Sequence, residues 1–284
     1  MLRLPLVRLA LLAASLVGLL LVLQSVIHAL SHQVPRTLHG PVVAGGDLLA
    51  CVIIVLAYRV EVRWLERRDP AELALDGRIA GLLPGTVLGA GLFCTVCALL
   101  GMLGVAGPAT WAGTAGLPLA AAGAFAAGVG EEIVFRGVVF RILEGRWGTL
   151  AALVFSAALF GFLHGANPGA TLISSAAIAL EAGVLLGLMY CATRSLWWPI
   201  GLHFGWNFTE GGIFGAAVSG GRVHGMLNLP LIGPQLLTGG SFGPEASAIA
   251  VLVSLCASAA LVYLTVRRGQ WRPLREATRN HRER

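Results

Sequence analysis

From Leu9 to Ile27 the chain runs without a single charge, LALLAASLVGLLLVLQSVI. About twenty such residues cross a hydrocarbon core as a helix. In lipid only helices and closed barrels satisfy their own backbone, so the choice of fold narrows at once. Comparable apolar runs recur at roughly 7–30, 42–60, 79–106, 117–140, 149–166, 171–192, 198–217 and 246–266, leaving no room for a soluble domain. The predicted fold is all-α, a polytopic membrane helix bundle of about eight transmembrane helices. Only 12% of the residues are charged, about half of what soluble domains carry. The first run outlasts a signal-peptide h-region and no small-x-small cleavage site follows it, so it is expected to remain as a helix.

All 20 basic residues are arginine. Seventeen flank alternate ends of these runs: Arg3 and Arg8, five between Arg59 and Arg78, Arg141 and Arg146, Arg194, and seven from Arg267 onward. The opposite loops hold only Arg36 and Arg222. The positive-inside bias then predicts an integral, multi-pass protein of a bacterial inner (plasma) membrane with both termini cytoplasmic, and Trp147, Trp197 and Trp198 mark the inner interface. This placement also explains the net charge of +6 without a nucleic-acid partner.

Within 66–81, Asp69, Pro70 and Glu72 have the spacing of an N-cap, N1 and N3, and predict a short amphipathic cytoplasmic helix. The Gly- and Pro-rich stretch 218–245 predicts an external loop, partly re-entrant. The chain divides into N-terminal helices (1–116), a helical core (117–217), and the loop, last helix and basic tail (218–284). Five cysteines, Cys51, Cys94, Cys97, Cys191 and Cys256, all lie in apolar runs and read as small hydrophobes. His28, His32 and His39 sit at or beyond the outer end of the first run; a metal site is one reading, but their uneven spacing favours exposed loop residues without a role.

Ionisable groups in a bilayer cost at least ~2.5–3.5 kcal/mol each, so those inside the runs need a reason. They are Asp47, Glu131, Glu132, Arg136, His164, Glu181 and His203, with Glu210 near a boundary and the amide of Asn207 beside them. Asp47 and Glu181 have no spaced partner and read as contacts between helices. In EEIVFR (131–136), Glu132 and Arg136 stand four apart in the favoured order for a helical ion pair. Glu131 is left without that partner, and desolvation suits such a carboxylate to general-base work. FGFLH (160–164) places His164 one turn from Phe160; HFGWN (203–207) places Asn207 one turn from His203. Two imidazoles, a carboxylate and an amide on three helices can converge in a bundle core.

These three motifs resemble the CPBP intramembrane protease family, which includes the type II CAAX prenyl endopeptidases and bacteriocin-processing relatives. The resemblance runs from about Leu117 to Ile213. It implies an eight-span bundle that hydrolyses a peptide bond at the membrane, with a protein or peptide substrate, lipidated in the CAAX enzymes, and the lipid bilayer as partners. Residue by residue, it implies that Glu131 activates water with His164, that His203 and Asn207 stabilise the oxyanion, and that Glu132 and Arg136 support the site. Family members are called metalloproteases, and a zinc ion would take Glu131, His164 and His203. No HExxH pair is present, and the glutamate-type site without metal is the favoured reading. From helix lengths the site is expected in the cytoplasmic half, open to water on that side. The rival functions for the same residues are a transporter or proton relay, and a non-catalytic partner-binding membrane protein.

Overall fold

The protein is described here over residues 4–274 by a computed structural model. Arg3 and the arginines of 275–284 lie outside the described residues. Helices stand at all eight expected positions. α1 (Pro5–Ser31), with proline at N1, and α2 (Arg36–Glu61) form an antiparallel pair. α3 (Leu82–Met102) follows. α4 (Leu117–Glu132) continues without a break through a π-helical stretch, Ile133–Phe140, into α5 (Arg141–Trp147). Gly148, with φ of 82°, turns the chain into α6 (Thr149–His164).

α7 (Leu172–Ile178) begins on a Thr171–Ser174 capping box and passes through a π turn, Ala179–Gly183, into α8 (Val184–Thr193). α9 (Trp197–Asn207) likewise runs on as a π stretch, Phe208–Ile213. After a short α10 (Gln235–Thr238), Ser247 caps α11 (Ala248–Arg267) by accepting from the amide of Ala250. Thr110–Trp111 (β1) and Leu227–Asn228 (β2) pair antiparallel and clip two loops together.

Six of these helical segments are long and apolar enough to cross a membrane. The other two account for the difference from the expected eight: α6 has 16 residues, about 24 Å of helix, and α9 with its π extension is similarly short. Large apolar side chains such as Leu21, Val22, Leu49 and Val52 face outward, as the lipid-facing side of a bundle requires.

α9 lies in the middle. Glycines at Gly85 and Gly89 of α3 meet Gly201 and Gly205 of α9, each pair four apart. A Cβ at Gly89 would come within 2.0 Å of the Leu202 carbonyl oxygen, and one at Gly205 within 2.1 Å of that of Thr86. Small residues at this spacing let membrane helices approach to backbone contact. On its other side α9 packs on α4.

The two ends of the bundle differ. At one end, arginines lace buried carboxylates: Arg68 and Arg141 on Glu66 and Glu72, and Arg194 on Glu144. The segment 66–81 belongs to this cap and is not the expected helix. It forms 3₁₀ turns at Ala71–Leu73 and Arg78–Gly81. Tertiary contacts override the capping pattern: Glu72 is drawn inward to Arg68 and the Tyr58 hydroxyl, and the Ala74 carbonyl accepts from the Trp197 indole. The opposite end is built from 32–35, 103–116, 165–171 and 214–247, with Arg36 and Arg222 as its arginines. His28, His32 and His39 are not the expected loop residues: His28 is in α1, His32 is its C-cap and His39 is in α2. They cluster at this end because the α1–α2 turn brings the two helix ends together, with successive ring centroids 4.4 and 5.6 Å apart.

Candidate active site

Three of the four π stretches among the described residues fall where the polar residues of the apolar runs are; the fourth, Val62–Glu66, ends α2 at the arginine-rich end. One begins directly after Glu132, one contains Glu181, and one begins directly after Asn207 and contains Glu210. Such insertions are frequent at functional sites because they re-aim side chains without ending the helix. Here they lie on the helices that carry Glu132, Glu181 and Asn207.

Glu132 (fully buried) and Arg136 (1% exposed) form the expected pair, with Nη1 donating to Oε1 over 2.8 Å. Arg136 also reaches across to α7–α8, where Nη2 donates to the carbonyls of Ala182 and Gly183 at 3.0 and 3.1 Å. Its guanidinium lies 4.8 Å over the Phe160 ring, so an aromatic face and three acceptors replace its hydration. The same Glu132 oxygen lies 3.0 Å from His203 Nδ1. An ionised carboxylate only accepts, so Nδ1 carries a proton and Nε2 is the nitrogen left for other partners. Glu132 therefore orients His203 as well as neutralising Arg136, which the i,i+4 spacing alone does not reveal.

His164 Nδ1 lies 2.8 Å from the Phe160 carbonyl, which also can only accept. Its Nε2 then bears the lone pair in the neutral ring. That nitrogen stands 3.9 Å from Glu131 Oε2. Glu131 is about a third exposed, yet Oε2 itself is buried and has no hydrogen-bond partner. Phe160 packs against both imidazoles, with centroids 4.5 Å from His164 and 6.4 Å from His203. Glu131, His164 and His203 thus come together around Phe160, and Asn207 joins the two histidines in lining one cavity. Asp47, in contrast, holds α2 to α1 through Gln24 Nε2 at 3.4 Å.

Asn207 lies between two cavities. One, of about 20 Å³, is also lined by His164, His203, Glu181, Ser219 and Glu245; a polar space of that size holds one water molecule. The other, of about 330 Å³, runs from Asn207 along Ala127, Ala124 and Gly123 of α4 to Arg222 and His224. Both are walled by the 214–247 connection. The expected opening toward the arginine-rich end is therefore not where these cavities lie. α6 ends at His164, and 165–171 packs directly against that connection: Gly169 is against Ser241, and Gly220 against Pro168.

Three buried carboxylates join the site that spacing could not place there. Glu181 faces the small cavity from its π turn. Glu245, 3% exposed, accepts from Ser219 N and Oγ at 2.6 and 2.9 Å. Burial pushes its carboxyl above the usual range, against the pull of those bonds. Its own amide donates to Glu210 Oε1 at 3.3 Å. Glu181 and Glu210 carried a signal, each being a carboxylate in an apolar run; Glu245 sits in a loop and carried none. Among the described residues no three His, Cys, Asp or Glu side chains are grouped as metal ligands. Nδ1 of His203 is held by Glu132 and Nδ1 of His164 by the Phe160 carbonyl, which leaves Nε2 of both rings free. The same kind of contact orients zinc-bound imidazoles, so Glu131, His164 and His203 are the residues that would hold a zinc ion.

No curated protein and no solved structure matches the chain. Over residues 113–209, about a third of its length and the part that carries all three motifs, the chain matches the family model described as type II CAAX prenyl endopeptidase Rce1-like, which bears out the resemblance to the CPBP intramembrane proteases.

Proposed function

We propose that this multi-pass membrane protein is an intramembrane endopeptidase whose hydrolytic water is activated by Glu131 and His164. The observation that carries the reading is the pair of facing acceptors, Glu131 Oε2 and His164 Nε2, 3.9 Å apart. Neither can donate to the other while Glu131 is ionised and His164 neutral, whereas one water can donate to both. As that water attacks the scissile carbonyl carbon, Glu131 takes its proton and later delivers it to the leaving amine. Asn207 and His203 Nε2 donate to the oxyanion, and the Glu132 carboxylate on Nδ1 stabilises the ring when Nε2 is also protonated. A zinc ion held by Glu131, His164 and His203 would supply a polarised water at the same place; each step above uses the side chains alone.

The test is cleavage of a membrane-peptide substrate by purified protein and by Glu131→Gln and His164→Ala. Each variant is expected to lose at least ~100-fold in rate with its thermal unfolding in detergent unchanged. Activity is expected to persist in chelator. Retained cleavage in both variants sinks the assignment; loss in chelator reversed only by zinc overturns the metal-free part of it.

A further inference from the structure

The side of the membrane from which substrate arrives follows from where the cavities lie relative to the arginines. The 330 Å³ cavity leads outward from Asn207, and Gly116, Leu119, Val223 and His224 line both it and an adjoining space of about 820 Å³ that reaches Gly40, Ala112 and Asn228. These volumes are those of spaces that take ligands. Every residue at their outer limit belongs to the arginine-poor end. On α4, Ala124 and Ala127 lie on the helical face that Glu131 continues one turn further on, so the cavity points at the candidate base. At the arginine-rich end, by contrast, the buried carboxylates of Glu66, Glu72 and Glu144 are held by arginines. Arginine flanking short loops keeps those loops on the cytoplasmic side. The two facts are independent, and together they orient the site.

We propose that the catalytic cavity opens to the extracytoplasmic side of the membrane, and that its substrates are polypeptide segments presented from that side: the membrane-proximal parts of exported or membrane-anchored proteins, not cytosolic lipidated C-termini. Naming the occupant as a substrate rests on the endopeptidase reading; the side of opening does not. The cavity wall suits such a segment. Gly123, Ala124 and Ala127 leave room for apolar side chains beside the backbone, while Asp47, Arg222 and His224 offer polar partners to the peptide as it leaves the bilayer.

Single cysteines test this without any cleavage. In a background with the exposed Cys94 and Cys256 replaced by alanine, Arg222→Cys marks the cavity rim, Arg146→Cys the arginine-rich end, and Ala127→Cys the cavity floor. A small membrane-impermeant methanethiosulfonate reagent is applied to intact spheroplasts and to inverted vesicles. Labelling of Arg222→Cys and Ala127→Cys in spheroplasts, with Arg146→Cys labelled only in inverted vesicles, is the expected result. Labelling of Ala127→Cys only in inverted vesicles overturns the proposal. So does its labelling from neither side while the two end markers react, with Ala124→Cys as a second position at the same wall. An inactive Glu131→Gln variant that keeps the expected labelling pattern supports both readings; a fully active one with that pattern refutes the catalytic assignment alone.

Discussion

The Glu132 carboxylate binds Arg136 and His203 through one oxygen, and both partners are more than nine-tenths buried. Removing it strands a guanidinium in the bundle core and frees the ring that faces the small cavity. Glu132→Ala is therefore expected to destabilise the protein by ~3–5 kcal/mol, as broken buried pairs do, read as a lower midpoint of thermal unfolding in detergent. Glu131→Gln, at a carboxylate only one residue away whose buried Oε2 accepts no hydrogen bond, is expected to leave that midpoint unchanged. An equal loss in the two variants would show that the adjacent glutamates do not divide the work as their contacts indicate. The EEIVFR spacing alone already separated Glu132 from Glu131. The bond to His203 lies between residues 71 apart, and no local pattern encodes it.

Helices carry these residues to one another, and their closeness depends on α3 against α9. The Gly85–Gly89 and Gly201–Gly205 faces leave no space for a Cβ. Gly205→Ala forces the helices apart next to His203 and Asn207 on the same helix. It is expected to cost ~1–3 kcal/mol, the range for overpacking a filled site, and to lower the cleavage rate more than Gly91→Ala, whose Cβ meets nothing within 4 Å. Paired unfolding and rate measurements on the two variants check this. Helix positions were legible because apolar runs of membrane length admit little else. The π stretches were not: an extra residue per turn at Ile133–Phe140 or Phe208–Ile213 reflects how buried polar groups pair across helices. The failed helix at 66–81 has the same origin, since a sound local capping pattern lost to the Glu72 contacts with Arg68 and Tyr58.

Across the whole molecule, the arginine cap and the cavity-bearing end make opposite demands on charge. Burial pushes the Glu72 carboxyl up, but its bond to Arg68 and the Arg141 charge outweigh that and hold it below the usual carboxylate range. A depressed carboxylate stabilises the fold above its unfolded value near ~4.3 and loses that contribution as pH falls through its lower folded value. Acidification below about pH 4 is thus expected to loosen this end, seen as hydrogen exchange rising at 68–81; Glu72→Gln should remove that step. If exchange there shows no acid dependence in the native chain, the ion-pair cap does not hold the segment. The sequence by itself determined a helical membrane bundle, the charge asymmetry between its ends, and which residue types make up the candidate site, because bilayer thickness and the cost of buried charge act on local pattern. Only the tertiary structure decided that Glu132 bridges Arg136 and His203, that a loop brings Glu245 to the site, and toward which end the cavities lie. Those depend on how separate helices and a long connection pack together, through contacts between residues far apart in the chain.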